Sequence, residues 1–250
     1  MPAANTIQDV IKQLDLIIAR SREQQSAMGY FAMLYRRMTV AVCDGINSNY
    51  FEDGARMEQL DTVFAGRYLD AWEAYTHQQK CSNAWYATFE ACHNPELVVL
   101  QHLLAGVNAH INLDLGIAAA AIAPGERIFS LQADFDRINT IIAALTQSVQ
   151  DSLAKIWFPL RALERITNNN QEAVLNFSIS TARKTAWANA VALAFIQGEL
   201  RDTHINTIDT AVVTIARRII HPGTITGMML SAVRAMENQS VDENIDLLKA

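Results

Sequence analysis

The sequence has few of the residues that interrupt helices. Ten glycines and five prolines occur in 250 residues, and most of them fall at the ends of helical segments, as in Asn94-Pro95, Pro124-Gly125 and Pro222-Gly223. A β fold of this length requires many short strands separated by glycine- and proline-rich turns. The shortage therefore favours a helical fold.

Cysteine is also scarce. The three cysteines, Cys43, Cys81 and Cys92, are odd in number and show no C-x-x-C spacing, which argues against a disulfide framework and against a cysteine zinc site. The residues after Met1 lack the basic segment and apolar run of a signal peptide. We therefore expect a protein of the reducing cytoplasm.

Positive charge is limited as well. Lysine and arginine total 20 against 26 acidic residues, and the net charge is −6. Binding to phosphates requires clustered basic residues, so a nucleic-acid role is not expected. Because half of the residues are apolar and only 18% are charged, we expect much apolar surface to be hidden in a core or in a homo-oligomer.

The signatures of several enzyme classes are missing from the sequence. No G-x-S-x-G, G-x-x-x-x-G-K or H-E-x-x-H occurs, which excludes the common serine-hydrolase, P-loop and zincin patterns. The paired Glu-x-x-His of di-iron bundles is absent too, since Glu90 to His93 is its single occurrence. The function must therefore be sought in residues outside these motifs.

What the sequence does contain is helical periodicity along most of its length. Apolar residues recur three and four positions apart, as in Ile7, Val10, Ile11 and Leu14. The least amphipathic segment begins at Pro95 and ends before Pro124, so we place it at the centre of the fold. The pattern predicts an all-α protein: one compact bundle of roughly eight helices over residues 1–250, with 237–250 as a loosely docked tail.

The central helix carries two polar stripes. One face holds His102, Gly106, His110 and Asp114, and the opposite face holds Gln101, Asn108 and Asn112. The six polar residues of these two stripes argue against a membrane span. At a rise of about 1.5 Å per residue, His102 and His110 are about 12 Å apart and cannot ligate one metal ion, whereas His110 and Asp114 can.

Two other charges fall within apolar helix faces, namely Asp61 and Arg183. A buried carboxylate must be paired, hydrogen-bonded or protonated. One interpretation is structural: Arg183 pairs with Asp61 or Asp114, and the histidines are ordinary core residues. Gly106 would then serve close packing with a neighbouring helix.

The functional interpretation is a metal-dependent enzyme that acts on a small, partly apolar molecule inside the bundle. His110, Asp114 and Asp61 would hold zinc, iron or manganese, and His102 and Arg183 would be catalytic. The expected substrate pocket consists of Tyr35, Phe64, Tyr68, Gly106 and Trp187. Two alternatives remain open: a non-catalytic helical module that binds an apolar small molecule, and a structural or interaction protein. The sequence leaves open whether the protein is an enzyme.

Three segments carry a resemblance to a known family: Phe51-Glu52-Asp53-Gly54-Ala55-Arg56-Met57-Glu58-Gln59-Leu60-Asp61, Phe64-Ala65-Gly66-Arg67-Tyr68-Leu69-Asp70-Ala71 and the run from His102 to Leu115, HLLAGVNAHINLDL. They resemble an uncharacterised, mainly bacterial family classed as a domain of unknown function, which implies no activity. The chain is more loosely similar to the helical zinc phospholipase C and P1-nuclease group, whose core helix carries His, an acid and His. Gly106 stands where that acid would be, which argues against a trinuclear zinc site.

Overall fold

The computed structural model describes residues 3–156, 179–237 and 240–249, and the statements below concern those residues. They form helices and contain no strand, which confirms the predicted all-α class. The helices are α1 (Ile7–Glu23), α2 (Met28–Asn47), α3 (Gly54–Thr76), α4 (Asn83–Ala91), α5 (Val99–Val107), the π-helical segment π1 (Asn108–Leu115), α6 (Gly116–Ile122), α7 (Arg127–Ile156), α8 (Ile179–Phe195), α9 (Gly198–Ile220), α10 (Thr224–Met236) and α11 (Val241–Lys249).

The segments α5, π1 and α6 follow one another without a break and form the central helix. Counted in this way, the described residues form ten helices, where the sequence predicted roughly eight. The central helix contacts α2, α3, α8 and α9. It is long and apolar enough to cross a membrane, with a mean hydropathy of 1.3, but 89% of that window is buried inside the fold. Such burial is typical of a core helix.

The beginning of the central helix differs from the prediction. The sequence placed it at Pro95, whereas the helix begins at Val99. The backbone N–H of Glu96 donates to the side-chain oxygen of Asn94 over 3.0 Å, so Asn94 forms a turn instead of capping the helix. The predicted end before Pro124 is confirmed, because α6 ends at Ile122.

Three buried carboxylates accept backbone N–H groups at, or just before, the starts of helices that lie far from them in the sequence. Asp134 accepts the backbone N–H groups of Glu52 and Asp53, just before α3. Asp209 accepts those of Asn83 and Ala84 at the start of α4. The third, Glu237, accepts the N–H of Val99, the first residue of α5, over 3.0 Å. Asp209 and Glu237 satisfy N–H groups that a helix leaves unpaired at its beginning, and Asp134 binds the segment that leads into α3.

The C-terminal residues do not form the loosely docked tail that the sequence predicted from residue 237. Residues Val241–Lys249 form α11, in which Ile245 and Leu248 are buried. This helix contacts α2 and α7, and Arg22 of α1 forms an ion pair with Asp246 at 2.5 Å. The acidic residues of this segment suggested a solvated tail, but the segment is a short amphipathic helix whose apolar side packs against the fold.

Candidate functional site

The Gln101 face of the central helix is satisfied by hydrogen bonds. The side-chain amide of Gln101 donates to the carbonyl of Ile219, in the last turn of α9, over 2.7 Å. Asn108 donates to the carbonyl of Val212 over 3.0 Å, and Asn112 donates to the side-chain oxygen of Asn108, also over 3.0 Å. These amides join the central helix to α9 and have a structural role.

Asp114, on the other face, is held by two donors. Arg67 Nε donates to its Oδ1 over 2.7 Å, and Trp85 Nε1 donates to its Oδ2 over 2.8 Å. The structural interpretation named Arg183 as the partner of Asp61 or Asp114. That pairing is wrong for Asp114, which pairs with Arg67, and Arg183 forms no ion pair with Asp61 among the described residues. Arg67 enters from α3 and neutralises the buried carboxylate.

His110 lies in a group of aromatic rings. Its ring stacks on Phe64 with centroids 3.6 Å apart and meets Tyr35 edge-on at 4.3 Å. Burial lowers the pKa of His110, although Asp114 opposes this effect, so the ring is neutral near pH 7. Nδ1 lies 3.5 Å from an oxygen of Asp114, and neither ring nitrogen has a hydrogen-bond partner among the described residues. An unsatisfied buried group of this kind costs about 1–3 kcal/mol.

His110 lines a cleft of about 460 Å³, which we call the apolar cleft. Its wall is formed by α2, α3, the central helix, α7 and the start of α8, and is mostly aliphatic and aromatic. Five of the residues selected from the sequence lie in this wall: Tyr35, Asp61, Phe64, His110 and Arg183. The cleft falls within the size range of small-molecule sites, about 300–1,000 Å³.

Asp61 is the acidic residue among the described residues that line the apolar cleft. It is only 7% exposed, and its Oδ2 has no hydrogen-bond partner in the part of the chain that the structure describes. Burial raises the pKa of Asp61 to about 7, and the nearby Glu58 carboxylate adds to this effect. The residue therefore changes its protonation state near neutral pH, a property that is frequent in functional clefts.

Arg183 lies at the far side of the same cleft. Its Nε donates to the side chain of Asn139 over 2.6 Å, and a second nitrogen donates to the carbonyl of Phe135. The guanidinium group also lies 4.3 Å from the centroid of the Phe135 ring. Burial lowers the pKa of Arg183 to about 10, so the side chain keeps its charge at neutral pH.

Five residues selected from the sequence do not line the apolar cleft, and one of them is Asp114, described above. A Cβ on Gly106 would lie 2.4 Å from the Phe31 ring, so that ring fills the space which the sequence assigned to a substrate. Tyr68 is buried against Phe31 and Trp85. Trp187 packs on the Phe135 ring. His102 lines a different cavity, described below.

The predicted metal ligands receive no geometric support. The described residues include no group of three or more His, Cys, Asp or Glu side chains placed to hold a metal ion. Both oxygens of Asp114 already accept hydrogen bonds from Arg67 and Trp85. The metal site of His110, Asp114 and Asp61 therefore stays a prediction.

Sequence reasoning missed Arg67, Trp85 and Phe31. Arg67 lies six positions after Asp61, at the edge of the apolar face of α3, which was a signal for an inward-pointing charge. No comparable signal marks the π-helical segment Asn108–Leu115, which carries both His110 and Asp114. π-helical turns are rare and frequently occur at functional sites.

The fold and the site define a class: an all-helical bundle in which unsatisfied polar groups border an apolar cleft. The model of a family of unknown function, DUF5995, matches residues 7–222. The chain belongs to this family, and its resemblance at the sequence level is confirmed. No curated protein and no solved structure matches the chain.

Proposed function

We propose that the protein binds a small amphiphile, with an apolar body and one hydrogen-bonding head group, in the apolar cleft. The observation that carries the proposal is a set of unsatisfied groups in a mostly apolar wall, namely Oδ2 of Asp61, the hydroxyl of Tyr35 and the ring of His110. Buried polar groups are normally paired. A ligand that pairs them offsets a cost that the free protein bears.

The hydrogen-bonding chemistry of Asp61 and His110 favours a hydroxyl as the head group of the ligand. The neutral His110 ring has one donor and one acceptor nitrogen, and Asp61 accepts when it is ionised and can also donate when it is protonated. A hydroxyl donates one hydrogen bond and accepts two, so it can serve both. The body of the ligand then lies against aliphatic and aromatic side chains, which include Leu34, Met38 and Leu104.

Calorimetric titration of the purified protein with 1-decanol tests the proposal, with decane as the probe that lacks the head group. We expect decanol to bind and decane to bind at least about tenfold more weakly, because decane leaves the polar groups unsatisfied. Leu104→Trp places an indole in the cleft and should abolish binding. Leu200→Trp is the matched control, since Leu200 of α9 is 63% exposed.

Equal decanol affinity in wild type and Leu104→Trp, with both proteins folded by circular dichroism, would place binding elsewhere. Absence of any decanol binding would favour a structural or interaction protein. Asp61→Leu and His110→Phe complete the series. Each removes one unsatisfied group, so each should weaken decanol and leave decane unchanged.

The metal-dependent enzyme remains a second candidate because Asp61 and His110 line one cleft. Plasma mass spectrometry on untagged protein, prepared without chelator, tests it directly. Near-stoichiometric zinc, iron or manganese that is lost in a folded His110→Ala variant would support this candidate. A metal-free protein that takes up none of these ions on addition leaves the binding module as the better proposal.

A further inference from the structure

A second cavity is lined by His102, whereas His110 lines the apolar cleft. It measures about 1020 Å³ and is lined by residues of α1 to α5 and of the C-terminal helices; we call it the polar cavity. His102 of the central helix and Trp72 of α3 are in its wall. Consecutive residues of α2 contact the two histidines: the Tyr30 ring contacts His102, and the Phe31 ring contacts His110.

Two buried polar atoms of the polar cavity have no partner in the described ranges. Trp72 is 4% exposed and His102 is 6% exposed, and neither Nε1 of Trp72 nor Nδ1 of His102 makes a hydrogen bond. The two atoms differ in what they require. An indole N–H only donates, so Trp72 needs an acceptor.

His102 needs the opposite kind of partner. Burial and the nearby Arg234 lower the pKa of His102 to about 4, and the ring makes a hydrogen bond to the backbone of Leu97. A neutral imidazole has a single N–H. Since that N–H serves Leu97, Nδ1 is left as an acceptor that lacks a donor.

The remaining wall is polar and aromatic and carries charges of both signs, one of which is Arg20, whose guanidinium carbon lies 5.6 Å from the centroid of the Trp72 ring. Arg234 pairs with Glu237 at 3.2 Å, and Glu90 accepts the hydroxyl of Tyr75 over 2.7 Å. Side-chain amides at the wall, which can both donate and accept, come from Gln24, Gln25, Gln78 and Gln79. Tyr75, Tyr86 and Trp72 supply ring surface.

We infer that the polar cavity is a second ligand site, for a neutral polyhydroxylated molecule of the sugar or polyol class. Hydroxyl groups both donate and accept, so one such ligand supplies the acceptor for Trp72 and the donor for His102. Its C–H surface packs against the aromatic rings, and its other hydroxyls bond the amides. This ligand is polar over most of its surface, whereas the amphiphile of the apolar cleft is mostly apolar. The inference does not depend on the proposal for the apolar cleft.

Saturation-transfer NMR with maltose, glucose and myo-inositol at millimolar concentration tests the inference. We expect transfer to at least one of these probes, and an affinity about tenfold lower in Trp72→Phe, which keeps the aromatic ring and removes the N–H. Trp187→Phe is the matched control because Trp187 packs on Phe135 and lines neither cavity. His102→Phe is a second variant with the same expected loss, in case Trp72→Phe does not fold.

Three outcomes would overturn the inference. Absence of transfer to every probe means that the cavity holds water only. Undiminished binding in both folded variants places the site elsewhere, and stronger binding of gluconate than of glucose contradicts a neutral ligand. Leu104→Trp, which fills the apolar cleft, should leave sugar binding intact, so the failure of one site is distinguishable from the failure of the other.

Discussion

The two faces of the central helix differ in whether their buried polar side chains have hydrogen-bond partners. On one face Gln101, Asn108 and Asn112 are fully engaged with α9 and with each other. On the other, His102 and His110 each border a cavity and retain ring nitrogens without partners among the described residues. The difference separates polar residues that fix helix packing from those that remain available to a ligand. Burial alone does not make that distinction.

The largest expected loss of stability comes from removing the cationic partner of the buried Asp114 carboxylate. Arg67→Leu removes the cation beside a carboxylate that is 1% exposed, and breaking such a pair costs about 3–5 kcal/mol. Urea unfolding measures the loss. Arg36→Leu is the control, because Arg36 pairs with an Asp15 side chain that is 50% exposed and should lose at most about 1 kcal/mol. Equal losses would contradict the distinction.

Gly106 and Gly66 give the next largest contrast. A Cβ on Gly106 would lie 2.4 Å from the Phe31 ring, whereas a Cβ on Gly66 meets nothing within 4 Å. Overpacking costs about 1–3 kcal/mol, which exceeds the roughly 1 kcal/mol that alanine gains over glycine in a helix. We therefore expect Gly106→Ala to lower the melting temperature and Gly66→Ala to raise it. A rise in both would show that Phe31 does not fill this space.

Removal of a buried polar group should affect the unfolding free energy differently on the two faces of the central helix. Asn108→Ala leaves the amide of Asn112 without its partner and should cost about 1–3 kcal/mol. His110→Phe keeps a ring stacked on Phe64 and removes two unsatisfied nitrogens, so its stability should be unchanged or higher. Chemical denaturation of both variants measures the difference. A large loss in His110→Phe would assign His110 to structure.

The smallest effect is a pH dependence that belongs to Asp61. Burial raises the pKa of Asp61 to about 7 in the folded protein, from the ordinary value of 3.8 for an aspartate. Between these values the folded state binds the extra proton, so this group makes the protein less stable as the pH rises through that window, by at most about 1.4 kcal/mol per pH unit.

His102 and His110 act in the opposite direction, since their lowered pKa values make the protein less stable as the pH falls below about 6.5. The measurement is therefore the difference in unfolding free energy between wild type and Asp61→Asn, at pH 5 and at pH 6. The advantage of Asp61→Asn should increase with pH. A constant difference would mean that Asp61 is ionised at both values.

The sequence predicted the helices well and the site in part. Periodicity identified an all-helical chain with a buried central helix, because burial of apolar faces determines where helices form. It also selected Tyr35, Asp61, Phe64, His110 and Arg183, which line one cleft. It assigned His102 and His110 to one site, although they line different cavities, because the Phe31 ring that fills the space at Gly106 comes from another helix. Nor did it find Arg67, since helix geometry shows which residues share a face but not which helix that face meets.

The long-range hydrogen bonds of Asp134, Asp209 and Glu237 affect the order in which the chain acquires its structure. The acceptors for the starts of α3, α4 and α5 lie 82, 126 and 138 residues further along the chain. During synthesis these three helices are made well before their acceptors leave the ribosome, and contacts over such distances form slowly. The backbone N–H groups just before α3 and at the starts of α4 and α5 therefore lack these acceptors until α7, α9 and the segment after α10 are present.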